Sequence, residues 1–382
     1  MGGLAAALAC ARAGCAVRVF EQAAKLSEVG AGIQLGPNAT RILLRWELGP
    51  ALARIAAYPQ HVRVRSALTG KELGCLRLGE KFAARYGAPY ATLHRADLQQ
   101  LLFDAVTSAG IEPRLSCRVA RVTSSTESVQ LHIASPGDSP VQGDLLAGAD
   151  GLWSSVRQEV WGDAAPAPTG HLAYRGLAAQ ADLPAALRSQ DIAVWLGPRM
   201  HLVAYPVRCG DLLNVVAFAQ GEVRARLQDW DHAAAAADLQ AALGRLCAPL
   251  RDLVHALPAW RMWPVHERPP LRAAEDMVRG RVALLGDAAH PMRPYFAQGA
   301  GMAIEDADEL GRCLSLVRDG GAQVPAALAR YAANRWKRNA RVQRRSERNG
   351  RIFHAAGPMR LGRDFAMKML GERLLDAAWL YR

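Results

Sequence analysis

Gly286-Asp287-Ala288-Ala289-His290-Pro291-Met292-Arg293-Pro294-Tyr295-Phe296-Ala297-Gln298-Gly299-Ala300-Gly301-Met302 joins a short apolar run to a glycine-rich helix start through an acidic residue. Upstream, Arg281-Val282-Ala283-Leu284-Leu285 reads as a strand buried on both faces, with Asp287 just past its carboxyl end. Ligands of open α/β sheets gather at such ends. Downstream, Gly299 and Gly301 carry no Cβ, so the backbone N–H groups of Gly299, Ala300 and Gly301 can come close to a ring system at the start of a helix expected over 300–316. The partial positive charge of a helix start favours an anion there. A reduced flavin is anionic around N1 and C2=O and needs such a donor cluster, whereas an ordinary strand, loop and helix would need none.

Three further segments carry the same kind of chemistry. They are Gly148-Ala149-Asp150-Gly151-Leu152-Trp153-Ser154-Ser155-Val156-Arg157, Leu93-His94-Arg95-Ala96-Asp97-Leu98, and Val29-Gly30-Ala31-Gly32-Ile33-Gln34-Leu35-Gly36-Pro37-Asn38-Ala39. With the first stretch they make the chain resemble, nearly end to end, the class A flavin-dependent aromatic hydroxylases, the group of p-hydroxybenzoate hydroxylase. The resemblance is closer to the salicylate and 3-hydroxybenzoate hydroxylase branch. It implies an α/β fold: a Rossmann-like FAD-binding domain with an inserted antiparallel-sheet substrate domain.

The amino terminus reads as a dinucleotide unit entered partway. Gly2-Gly3 opens a small-residue helix to Ala13, Gly14 ends it, and Val17-Arg18-Val19-Phe20-Glu21 follows as a strand. Glu21 lies 18 residues after Gly3, near the spacing at which a carboxylate accepts the adenosine ribose hydroxyls. A secretion signal is the competing reading of residues 1–15, but no Lys or Arg precedes Arg12 and a strand replaces the cleavage site. Against the family pattern, the first strand and the first two glycines of the fingerprint are missing from this chain. Two explanations stand: a start placed too late, with roughly ten residues further upstream, or a truncated, non-catalytic remnant unable to retain FAD.

The chain has 382 residues, half of them hydrophobic, enough for two domains and a large core. No apolar run approaches the ~18 residues a membrane span needs. The seven cysteines are scattered without a CxxC pair, so neither a disulfide framework nor a metal site is indicated and a reducing cytoplasm fits. A formal charge of +12 raises the question of nucleic acid, yet the basic residues form no block, which argues against it. The excess is arginine, with only five lysines; it reflects either coding composition or attraction of NAD(P)H and an anionic aromatic acid.

Alternation and turns predict a helix over 37–48, a hairpin over 62–78 around Thr69-Gly70-Lys71, and an amphipathic helix over 97–109 ended by Gly110. Two strands are expected over 115–133 and a loop over 136–140. An antiparallel sheet follows over 171–177, 192–196, 200–207 and 212–219, with an Ala-rich helix over 232–246 on its outer face. The FAD-binding domain is thus expected over 1–168 and 265–350, the substrate domain over 169–264, part of 60–90 joining its sheet, and a helical segment over 351–382. Residues 323–351 read as a long basic helix, solvated by default, with a homodimer contact as the second reading.

Hydroxylating an aromatic ring with O2 needs a reduced flavin, a C4a-hydroperoxide kept from water, and a ring made electron-rich by loss of a phenolic proton. For that proton, His201 and Tyr205 stand four apart in one strand, so both face one side, and histidine suits proton transfer near neutral pH. In the 3-hydroxybenzoate branch a similar His and Tyr line the substrate site; a packing role is the alternative. The resemblance also implies Pro294, through its carbonyl, at the substrate, with Arg95 and Asp150 at the FAD. Asp287, Gly299, Ala300, Gly301, Gly3 and Glu21 complete the cofactor residues. Arg293 and Tyr295 are weaker substrate candidates, Arg293 for a carboxylate, and His290 reads as structural. A flavin halogenase would need a lysine near its tryptophan element, which Trp260-Arg261-Met262-Trp263-Pro264 lacks. The expected activity is an NADH- or NADPH-consuming FAD monooxygenase acting on salicylate, a hydroxybenzoate or 6-hydroxynicotinate.

Overall fold

The computed structural model describes residues 1–26, 32–134, 139–221 and 232–382. The chain divides into two compact units: Met1–Glu28, Leu98–Ala167 and Glu267–Ser346 form the first, and Val29–Asp97, Pro168–His266 and Glu347–Arg382 the second. Val29, Gly30 and Ala31 of the third motif and 136–138 of the expected loop lie outside the described residues.

In the first unit, strand Val282–Leu284 pairs in parallel with Leu146–Gly148, in the register Val282 with Leu146 and Leu284 with Gly148. All three residues of the former are buried, as a strand covered on both faces requires. Helix Gly2–Arg12 lies along helix Gly299–Arg318 so closely that a Cβ at Gly311 would come 2.7 Å from the Ala9 carbonyl oxygen. The alanines at 5, 6, 7 and 9 permit that approach, and all are buried. The long helix Val324–Phe353 is not simply solvated: Ala327, Leu328, Tyr331 and Ala332 are buried, and the Tyr331 hydroxyl donates to the Leu284 carbonyl (2.9 Å). Its exposed face is the basic one; its inner stripe repeats at the helical period.

The expected strand over 17–21 is reduced to one bridge, Phe20 with Arg114. The segment is tied by Arg114 N–H to Val19 O (2.8 Å) and Glu21 N–H to Arg114 O (2.9 Å). So short a set of pairs orders an extended segment without making a ladder.

The second unit is built on an eight-stranded sheet in the order 232–234, 260–267, 167–179, 212–220, 200–207, 192–197, 61–66, 72–77. The hairpin His61–Ser66 and Glu72–Arg77 joins it by a parallel pairing with Ile192–Gly197, so this unit extends well beyond the expected 169–264. One face, carrying Leu202, Ala204, Leu213, Val215 and Ala217, packs under helices Ala236–Leu243 and Ala248–Ala256. The helix expected from 232 begins only at Ala236. His232–Ala234 instead pairs with Trp260–Met262 at the sheet edge, where ladder hydrogen bonds override alanine's helix preference. A two-stranded ribbon, Gly32–Leu35 against Ala91–His94, completes the unit.

Candidate cofactor and substrate residues

Four segments meet in the first unit at the carboxyl ends of its parallel strands. The Leu285 N–H donates to the Gly148 carbonyl (3.0 Å), which sets the turn carrying Gly286 and Asp287 beside Ala149 and Asp150. Gly286 has φ +55, a left-handed value that glycine tolerates, and a Cβ there would sit 3.0 Å from Ala303 Cβ. The start of helix Gly2–Arg12 stands at the same end: a Cβ at Gly2 would lie 3.1 Å from Leu285 Cδ1, and one at Gly3 would lie 3.5 Å from Ala149 Cβ. Neither Met1 nor Gln298 caps its helix with a side chain. In helix Gly299–Arg318 the Met302 N–H donates to Gln298 O, so the N–H groups of Gly299, Ala300 and Gly301 precede the first intrahelical bond.

The acids differ in what they hold. Asp287 is exposed among buried neighbours, its Oδ1 3.9 Å from a Cβ position on Gly299. Glu21 accepts from the Ala23 N–H (2.9 Å), which orients it. Asp150 is engaged internally, accepting from the Ser154 hydroxyl (2.5 Å), the Ser155 hydroxyl (3.2 Å) and the Val156 N–H (3.0 Å) at the start of helix Ser155–Trp161. Arg157 then ties this turn to the other, donating to the carbonyls of Ala288 (3.1 Å) and Ala289 (2.7 Å). Two helix starts without a side-chain cap suit phosphate and pyrimidine-dione oxygens, and the carboxylates of Glu21 and Asp287 suit sugar-alcohol hydroxyls. That donor and acceptor set fits FAD.

His290 belongs to a buried ion network. Its Nε2 lies 2.5 Å from Asp306 Oδ2, and Asp306 also accepts from Arg335 Nε (2.8 Å), Asn339 (3.0 Å) and the Gly286 N–H (3.1 Å). Burial alone would raise the Asp306 carboxyl, but His290 and Arg335 outweigh it and hold it far below the usual carboxylate range. Arg335 and Arg338 share Glu305. This network fixes the turn that carries Asp287, and none of Asp306, Arg335 or Glu305 is apparent as a site-forming residue in the sequence.

Arg293 departs from expectation. Its guanidinium grips Glu267 with two hydrogen bonds of 2.6 Å, so the carboxylate it meets is the protein's own. Tyr295 is buried, and Pro294 is exposed at the start of a tight turn in which its carbonyl accepts the Ala297 N–H at 3.4 Å. Such a long bond leaves acceptor capacity on that oxygen.

In the second unit, strand Met200–Val207 presents His201, Val203 and Tyr205 on the face opposite the helix-covered one, since Met200, Leu202 and Ala204 belong to the apolar cluster. His201 is 1% exposed and its ring stacks on Phe218 (4.7 Å between centroids, 18°). Burial, then His354 and His171, lower its pKa well below the ordinary histidine value, so it is a neutral imidazole. Tyr205 is hydrogen-bonded to Gln34 and neighbours Tyr90; burial pushes its phenol up, out of the range where it ionises, so it serves as a donor. Gly32 packs against both Tyr205 and Asn214, and its N–H donates to Asn214 Oδ1 (2.8 Å). At Gly32 the close approach is therefore to protein side chains.

Arg175 shares this face on strand Ala167–Ala179, its guanidinium 5.1 Å above the Trp263 ring. His171 and Arg175 repeat the four-residue strand spacing of His201 and Tyr205, a signal present in the sequence but not taken up there. Arg95 is half-buried at the start of helix Arg95–Ser108, directly after strand Ala91–His94. Among the described residues no group of His, Cys, Asp and Glu could hold a metal, and no helix is long and apolar enough to cross a membrane.

Comparison with known proteins agrees with this chemistry. A family described as FAD binding domain matches residues 1–346. A 3-hydroxybenzoate 6-hydroxylase of Polaromonas naphthalenivorans is 37% identical over the whole chain and 93% of its own length. One of Klebsiella oxytoca is 35% identical over the whole chain and 94% of its length. Among solved structures, a salicylate hydroxylase substrate complex superposes with a TM-score of 0.83 at 26% identity, covering 100% of this chain and 92% of that one.

Proposed function

Because the chain belongs to the FAD binding domain family and is an FAD-dependent aromatic hydroxylase, we propose that it hydroxylates a phenolic acid of the 3-hydroxybenzoate type, with His201 as the base. The observation that carries this reading is the placement of the buried His201 and Tyr205 on one sheet face, where burial lowers the pKa of His201 and raises that of Tyr205. Removing the proton from a ring hydroxyl feeds electron density to the carbon para to it, which in 3-hydroxybenzoate is C6. His201 accepts that proton, Tyr205 donates a hydrogen bond that orients the substrate, and Arg175 faces the carboxylate in place of Arg293.

The helix starts at Gly3 and at Gly299-Ala300-Gly301 would hold the phosphate and ring oxygens of FAD and Asp287 and Glu21 its hydroxyls, while Asp150 would shape the adjoining turn. When bound and reduced by NADH or NADPH, the FAD supplies the activated oxygen. A remnant unable to hold FAD is not the favoured reading: relatives match along the whole chain, and both helix starts are formed.

The test is NAD(P)H oxidation by the yellow, FAD-loaded protein, stimulated by individual aromatic acids, with products identified by mass spectrometry. Formation of 2,5-dihydroxybenzoate from 3-hydroxybenzoate is expected. Stimulation by none of 3-hydroxybenzoate, salicylate and 6-hydroxynicotinate overturns the substrate class, and a colourless protein that ignores added FAD overturns the cofactor.

A further inference from the structure

A base that takes a proton in a dry setting has to pass it on, because a buried imidazolium without a partner is costly. His201 has one such outlet. Its Nδ1 lies 2.7 Å from Nε2 of His354, a residue 153 positions further along the chain. The His354 ring is tilted against it at 4.9 Å between centroids, and the His171 ring stands edge-on to His354, also at 4.9 Å. The rings of Phe218 and Phe353 also pack on His201, and His354 and His171 are titratable groups that lower its pKa. The three rings do not form a metal-binding group.

The backbone holds His354 in this place. Its carbonyl accepts the Arg199 N–H (3.0 Å) and its N–H donates to Gly350 O (3.1 Å). Just before it, the guanidinium of the buried Arg363 clamps the carbonyls of Ile352 (3.3 Å) and Phe353 (2.7 Å). Two backbone anchors and a buried arginine hold the segment that carries the ring. Two imidazoles 2.7 Å apart share a single hydrogen, so one nitrogen must donate and the other accept.

We propose that His354 is the positioning and proton-relay partner of His201, fixing the tautomer in which His201 Nε2 accepts from the substrate and then receiving the proton from His201 Nδ1. This rests on the reading of His201 as the base. In the resting arrangement His201 Nδ1–H donates to His354 Nε2. The substrate O–H bond breaks as its proton joins His201 Nε2, leaving phenolate, and the Nδ1–H proton moves to His354 Nε2, so that His354 carries the positive charge. The substrate gains one negative charge and the imidazole pair one positive, so one proton has moved and the charges balance.

The experiment compares His354→Gln with His201→Gln in the FAD-loaded enzyme, using 3-hydroxybenzoate. Glutamine at 354 can still accept from Nδ1–H but cannot carry a proton onward. Expected for His354→Gln is unchanged flavin content and KM, with turnover reduced roughly ten- to a hundredfold, the lower part of what proton transfer contributes. That deficit shrinks as pH rises and the phenol arrives already ionised. A deficit equal at every pH, or none, overturns the relay. Wild-type turnover in His201→Gln would instead overturn the base assignment, so the two failures are distinct. A solvent-isotope proton inventory of the wild-type hydroxylation step needs no variant: a bowed plot is expected from two protons in flight, and a straight one overturns the relay.

Discussion

Replacing Gly32 by alanine tests how Tyr205 is placed. A Cβ on Gly32 would fall 2.5 Å from Tyr205 Cε2 and 2.7 Å from Asn214 Cγ. Carbon atoms in contact sit about 3.5–4.0 Å apart, so the ring, the amide or the strand must move by about 1 Å. None has room. Tyr205 and Asn214 face each other in the register of two fully paired strands, Asn214 is fully buried, and its Oδ1 already binds the Gly32 N–H. Overpacking of this sort costs about 1–3 kcal/mol, offset by about 0.4–1 kcal/mol from the stiffer unfolded chain. A misplacement of about 1 Å at a reacting centre costs on the order of a hundredfold in rate. Gly32→Ala should therefore keep its flavin, unfold at a lower temperature, and lose ten- to a hundredfold in kcat/KM for the aromatic acid, measured by acid-stimulated NAD(P)H oxidation with product analysis. Wild-type kcat/KM together with lowered stability would show that Tyr205 does not orient the substrate, and the reasoning about this face would fall.

Three further outcomes follow from the same geometry. Asp287→Ala removes a charged acceptor worth about 1.5–3 kcal/mol, so FAD retention in equilibrium dialysis should weaken roughly ten- to a hundredfold; unchanged retention would remove Asp287 from the cofactor set. Asp306→Asn leaves Arg335 buried with one fewer carboxylate and should cost about 3–5 kcal/mol in denaturant unfolding. Because the folded Asp306 is held below its unfolded value, its contribution is present above about pH 4 and lost as the pH falls through the folded value, so the wild type should lose stability in acid more steeply than the variant. His201, with its pKa depressed, stays neutral well below the ordinary histidine value of about 6.5, so the pH profile of kcat should show no acid limb near that pH; a limb centred there would mean that His201 is not the base or is not buried in the working enzyme.

Much of the strand, turn and helix start that the candidate cofactor residues occupy was legible from local pattern. The run 281–285 gave a buried strand, Gly286-Asp287 a turn at its end, and Gly299 a helix start, because strand burial, turn conformation and helix initiation depend on neighbours within a few residues. The spacing of His201 and Tyr205 likewise placed both on one strand face, since side chains alternate with period two wherever the strand lies. The hairpin of 61–77 and the helix after Pro37 were readable for the same reason.

Where a side chain's partner lies far along the chain, only the folded structure decided the outcome. Arg293 meets Glu267, Arg335 meets Asp306, and the Ala-rich start at His232 becomes a sheet edge against Trp260. The pairing of His201 with His354 has no local signature at all. Local sequence sets conformational preference, about 1 kcal/mol or less per residue. Which charges are desolvated together, and which rings share a proton, is set by packing between segments, where burial and paired charges act with several times that energy.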